Sequence, residues 1–127
     1  MATVLIVDDS HLSRSTLRIA LAKTGVAVIE ASDGVAGLEA IARHRPDCVV
    51  ISLTAPAQDA PSFLKALRGQ SAPPVIVLAQ CPRRETVESC TRLGAAAVVE
   101  RSFDGAATIE AIASALARSA NGARAAA

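Results

Sequence analysis

Neither sign of charge dominates this chain: 13 Lys and Arg stand against 12 Asp and Glu, a formal net charge of +1. That balance removes the bulk electrostatic case for binding nucleic acid or a membrane surface, and neither is expected as a partner. Long apolar runs are missing too. The opening "MATVLIVDDS" meets acids after too short a hydrophobic stretch for a signal peptide, and no stretch is long enough to span a bilayer. A cytoplasmic location is the expectation. Cysteine is scarce: Cys48, Cys81 and Cys90 are odd in number and lack metal-ligand spacing, which suggests reduced thiols. Cys48 in a strand and Cys90 on a helix read as small core residues, while Cys81 falls in a loop, where a redox or modification role stays open. The two histidines, His11 and His44, lie far apart on polar stretches and read as solvated.

What is present is a core. Hydrophobic residues make up 51% of 127 positions, enough for one domain without disulfides or a structural metal. Apolar β-branched runs alternate with helical patterns five times. The strands predicted are residues 3–7, 26–31, 48–53, 75–79 and 97–100. Most are continuously apolar, as expected for a parallel sheet covered on both faces.

Helix punctuation supports this reading. The first helix spans about Ser10 to Thr24 and stops at Gly25. Asp33 caps the second, which carries Val35, Leu38 and Ile41 on one face and ends before Pro46. The third begins near Pro61 and closes at Gly69. "RRETVESCTRL" forms the fourth, ahead of Gly94, with Val87, Cys90 and Leu93 as its inner edge. Asp104 caps the fifth, where Ile109, Ile112, Ala113 and Leu116 recur at helical spacing. The domain is expected over residues 1–119, with an alanine-rich flexible tail at 120–127.

In such sheets functional groups gather beyond the carboxyl ends of the strands, where strand order reverses. Asp8 and Asp9 follow the first strand, Ser52 ends the third, Ala79 ends the fourth and Arg101 follows the fifth. These are expected to converge on one crevice.

The order of "VLIVDDS", "ASDGVAGLEAI", "RPDCVVISLTAP", "APPVIVLA" and "RLGAAAVVERSF" resembles the receiver domain of two-component response regulators. The resemblance implies a flavodoxin-like α/β fold: five parallel strands in the order 2-1-3-4-5, flanked by five helices. It also implies a crevice in which an acid pair and an acceptor aspartate bind magnesium, and the aspartate takes a phosphoryl group from a histidine kinase. A hydroxyl on strand four and a lysine after strand five contact the phosphoryl oxygens, and an aromatic on strand five switches inward.

Laid on this chain, the acid pair is Asp8 and Asp9, the acceptor position Ser52, the hydroxyl position Ala79, the lysine position Arg101 and the switch position Val98. Serine is neutral, has no histidine near it in this map to act as base, and offers magnesium no charge. Alanine cannot donate to a phosphoryl oxygen, and valine has no ring to swing. The planar fork of Arg101 suits a carboxylate of Asp8 or Asp9, so a standing ion pair is expected. A magnesium site at Asp8 and Asp9 is then weak or lost, and no cofactor is required.

The function expected is that of a pseudo-receiver: no enzyme, not phosphorylated on aspartate, acting by protein binding. Its implied partner is a signalling protein such as a histidine kinase or another regulator. The resemblance places the partner face on helix four, strand five and helix five, where Arg83, Arg84, Glu88 and Val99 fall. Two alternatives stay open: a module that senses a small anion or nucleotide in the crevice, and the receiver end of a longer regulator. A serine hydrolase does not fit, because "ISLTA" lacks the glycines of a nucleophile elbow.

Overall fold

The structure, a computed structural model, describes the backbone of residues 1–126 and the side chains through residue 118. The tail expected at 120–127 lies outside the residues described in full. Five strands and five helices alternate: β1 Thr3–Val7, α1 His11–Ala22, β2 Ala27–Ala31, α2 Gly34–His44, β3 Cys48–Ser52, α3 Ala60–Leu67, β4 Val75–Ala79, α4 Arg84–Arg92, β5 Ala97–Glu100 and α5 Ala106–Ala126. All neighbouring strands are parallel, in the order β2-β1-β3-β4-β5. The chain runs outward from β1 to β2 and returns to β3 on the other side of β1, so the sheet opens between β1 and β3 at its carboxyl edge.

Successive residues of each strand feed opposite layers. Leu5, Val7, Val49, Ile51, Val75 and Val77 pack beneath α2, α3 and α4, around the fully buried Phe63. Val4, Ile6, Cys48, Val50, Ile76 and Leu78 pack beneath α1 and α5, against Leu17, Leu21, Ile112 and Ala115. Both faces are dry, which is why the strands read as unbroken apolar runs.

Short polar caps start most helices. The side chains of Ser10, Asp33 and Asp59 accept from the amides of Ser13, Ala36 and Ser62. Helix α4 has no side-chain cap, and its flanking residue is Arg83. Several bounds differ from expectation: α1 ends at Ala22, β2 starts at Ala27 and β3 ends at Ser52, each shorter than expected, while α3 starts at Ala60 after its cap Asp59.

Two expected inner faces need correction. Val35 is 46% exposed, because the inner edge of α2 is made by Gly34, Gly37, Leu38 and Ile41. A Cβ on Gly37 would lie 2.8 Å from Val7 Cγ2, and one on Gly34 would lie 2.1 Å from the Gln58 carbonyl oxygen, so α2 lies closer than any side chain there allows. In α5, Ala113 is exposed; Ile109, Ile112 and Leu116 do face inward, together with the buried Thr108 and Ala115.

Candidate functional site

The strand ends converge. An open crevice of about 440 Å³ is lined by Asp8, Asp9, Ser10, Ser52, Leu53, Thr54, Leu78, Ala79, Gln80 and Arg101. The ladder fixes where each strand stops: Ser52 and Ala79 are the last residues of β3 and β4, and Asp8 and Arg101 the first beyond β1 and β5. Val7 pairs with Ile51 and Ser52 with Leu78, which sets Asp8 and Ser52 side by side at the edge. The Arg101 amide donates to the Ala79 carbonyl at 2.9 Å, continuing the β4–β5 ladder and bringing its side chain over the same edge.

Asp8 is almost completely buried, 2% exposed, and fully engaged. Its Oδ1 accepts from the Ser10 amide at 2.9 Å and its Oδ2 from Arg101 Nη2 at 2.8 Å. Its carbonyl accepts from Arg14 Nη1 at 2.5 Å, and Arg14 Nε in turn holds Glu30 at 3.1 Å. A buried carboxylate requires such compensation. Asp9 is exposed and lies outside this network.

Arg101 is the hub. Besides Asp8, its Nη2 donates to Ser52 Oγ at 3.2 Å and its Nη1 to Ser13 Oγ at 2.6 Å. The expected ion pair is therefore with Asp8 and not Asp9. Ser52 is buried, 5% exposed, with its hydroxyl oxygen accepting from a cation. Ala79 is buried and contributes only a methyl to the wall. Val98 is half-buried in the layer beneath α4, opposite Val77.

Sequence reasoning did not find Ser13, Arg14, Thr54 or Gln80. The signal for the first two was the helix-start position of Ser10: once it caps α1, residues 13 and 14 fall in the turn beside the crevice. Of the expected partner face, Arg83, Arg84 and Glu88 are exposed, and Arg84 Nε pairs with Glu88 at 3.2 Å. Val99 needs correction: it is half-buried and packs into the α1–α5 layer, because its neighbour Val98 takes the other face of β5.

The cysteines divide by environment. Cys48 and Cys90 are buried and Cys81 is exposed in the β4–α4 loop. Burial pushes the Cys48 thiol up to about 12 and raises that of Cys90 as well. Neither buried thiol is a nucleophile at neutral pH.

A fold of this strand order with acids at the reversal point defines a class, and comparison with known proteins agrees. Residues 4–113 match the response regulator receiver domain, and the chain belongs to that family. It is 34% identical over 117 residues to the transcriptional regulatory protein CseB of Streptomyces avermitilis, covering 91% of this chain and 49% of that protein. It is 42% identical over 78 residues to the transcriptional regulatory protein KdpE of Mycobacterium tuberculosis, covering 61% of this chain and 34% of that protein. The chain thus spans about half or less of these relatives. Among solved structures, the chemotaxis response regulator CheY4 of Vibrio cholerae superposes with a TM-score of 0.83 at 27% identity, covering 91% of this chain and 99% of that one.

The magnesium that the family implies does not fit the residues here. Both oxygens of Asp8 are engaged by an amide and a guanidinium, and Ser52 supplies no charge. Among the described residues, no group of three or more His, Cys, Asp or Glu side chains is placed to hold a metal ion.

Proposed function

We propose that this chain is a pseudo-receiver of two-component signalling, whose crevice takes no phosphoryl group on aspartate and which acts through phosphorylation-independent protein binding. One observation carries the reading: the side chain at the end of β3 is a serine whose oxygen is already held by Arg101. Attack on phosphorus by a neutral hydroxyl needs a base for its proton. No histidine supplies one, since His11 and His44 are exposed residues of α1 and α2 and do not line the crevice. No catalytic step is required of the chain. Its partner is a signalling protein, a histidine kinase or another regulator, met in part through the exposed Arg83, Arg84 and Glu88 at the start of α4.

Sensing of a small anion or nucleotide through Arg101 has less support. The guanidinium is neutralised by Asp8, and Asp9 adds a second negative charge at the mouth. The test is incubation with acetyl phosphate and MgCl₂, followed by intact mass. An unchanged mass is expected; a stoichiometric adduct of one phosphoryl group, removed by hydroxylamine, overturns the reading.

A further inference from the structure

We infer that Arg101 is a built-in counter-ion, which balances the buried acid in place of a divalent cation and closes the crevice to metal. The inference deepens the reading just given and rests on it through Ser52. Three contacts define the role. The guanidinium meets Asp8 Oδ2 at 2.8 Å, Ser52 Oγ at 3.2 Å and Ser13 Oγ at 2.6 Å, so it joins the loop after β1, the end of β3 and the first turn of α1. Asp8 is the one carboxylate buried among the described residues, and it is the one that Arg101 neutralises. Magnesium demands near-octahedral oxygen ligands and dehydrates reluctantly. It would have to displace a charged donor from that buried carboxylate, beside a cation that repels it.

This arrangement makes two positions interdependent. Changing Ser52→Asp alone places a second carboxylate within reach of Nη2, and a planar fork can serve two carboxylates. The acid then strengthens the lock instead of completing a metal site. Metal binding returns only when Arg101 is changed as well. Restoring the acceptor and restoring the cation site are therefore separate events in this chain.

The experiment titrates MnCl₂ into wild type, Ser52→Asp, Arg101→Gln and the double variant, reading calorimetric binding and the melting midpoint. A site that takes metal must raise the midpoint as metal is added. In wild type and Ser52→Asp the midpoint should not respond to MnCl₂, and Ser52→Asp should melt above wild type in metal-free buffer. Arg101→Gln should melt below wild type without metal and climb with MnCl₂, and the double variant should climb further. Recovery of folded circular dichroism on adding MnCl₂ to a variant that is unfolded without it also supports the inference. Should the Gln variants stay unfolded throughout, Ser52→Asp with Arg101→Lys decides, since one ammonium cannot span all three partners; it should respond to MnCl₂.

Saturable manganese binding by wild type or Ser52→Asp, or no response in any folded Arg101 variant, overturns the inference. The outcomes separate from the mass test. A phosphoryl adduct on wild type sinks the proposed function and leaves these titrations standing; manganese binding by wild type sinks the counter-ion without giving Ser52 a carboxylate.

Discussion

Strand β3 carries a small polarisable side chain at each end, and the fold treats the two in opposite ways. Cys48, at the amino end, is completely buried in the apolar layer beneath α1 and α5, and its sulfur lies 4.0 Å from the nearest acceptor, the Val49 carbonyl. Ser52, four residues on, is nearly as buried but is joined through Arg101 to Asp8 and Ser13. Burial alone therefore does not mark a site. The difference is connection to charge: one end of the strand is filler, and the other belongs to a network with α1 and the loops after β1 and β5.

The strongest way to break the contrast is to remove the charge that organises the carboxyl end. Asp8→Ala leaves Arg101 without its carboxylate, and losing one partner of a buried pair costs several kcal/mol. Because the Arg101 side chain is 29% exposed, water offsets part of that, and a loss of about 2–3 kcal/mol is expected. Asp9→Ala, one residue away on the exposed side, should stay within about 0.5 kcal/mol of wild type. Urea midpoints of the two variants measure the comparison directly. Equal losses would mean that Arg101 is shared between the acids, and the floor of the crevice would no longer be distinct from its mouth.

Much of this was legible in the sequence, for identifiable reasons. The strands were readable because both sheet faces are dry, leaving unbroken apolar runs between turn residues. Convergence of Asp8, Ser52, Ala79 and Arg101 followed from the strand-end rule, and the Arg101 ion pair from the shape of a guanidinium. Where the inner face of α2 was misread, the cause was glycine: Gly34 and Gly37 carry no apolar signal, yet Gly37 is where α2 meets Val7 of the sheet and Gly34 where it meets the Gln58 backbone. Val99 was misassigned because β5, AVVE, sets two valines side by side with no apolar–polar alternation to say which side faces in. Ser13 was invisible because its partner, Arg101, lies 88 positions away, and a serine in a first helical turn has an adequate local explanation.

The amino end of β3 offers the next test. Cys48→Ser places a hydroxyl whose nearest acceptor, the Val49 carbonyl at 4.0 Å from the present sulfur, is too far for an O–H bond, and should cost about 2 kcal/mol. The wild-type thiol itself makes stability depend on alkaline pH. Its folded pKa is raised from 9.0 to about 12, so above pH 9 the unfolded chain gives up that proton while the native chain keeps it. Stability from this group is thus complete below pH 9 and declines between pH 9 and 12; at pH 10 the loss is on the order of 1 kcal/mol. Denaturation of wild type and Cys48→Ala at pH 8 and pH 10 isolates the share due to this thiol. A decline of equal size in both would show that Cys48 is not the group that titrates. Cys90, raised in the same direction, adds to the wild-type slope and is common to both chains.

A modest effect is expected where family chemistry would predict the largest. Ser52→Ala removes one hydrogen bond of 3.2 Å from a guanidinium that keeps shorter bonds to Asp8 and Ser13. A loss of about 0.5–1.5 kcal/mol follows, since the alanine leaves no carboxylate stranded and Arg101 retains its ion pair. Partner binding, if it is independent of phosphorylation, should be unchanged in a pull-down with Ser52→Ala and wild type as baits. If Ser52→Ala instead destabilises as much as Asp8→Ala, the serine is the anchor and Arg101 depends on it. If it leaves stability intact but abolishes partner capture, the hydroxyl itself is what the partner reads or modifies. In that case the two ends of β3 would differ in chemistry as well as in connection, and the crevice would have a reactive residue after all.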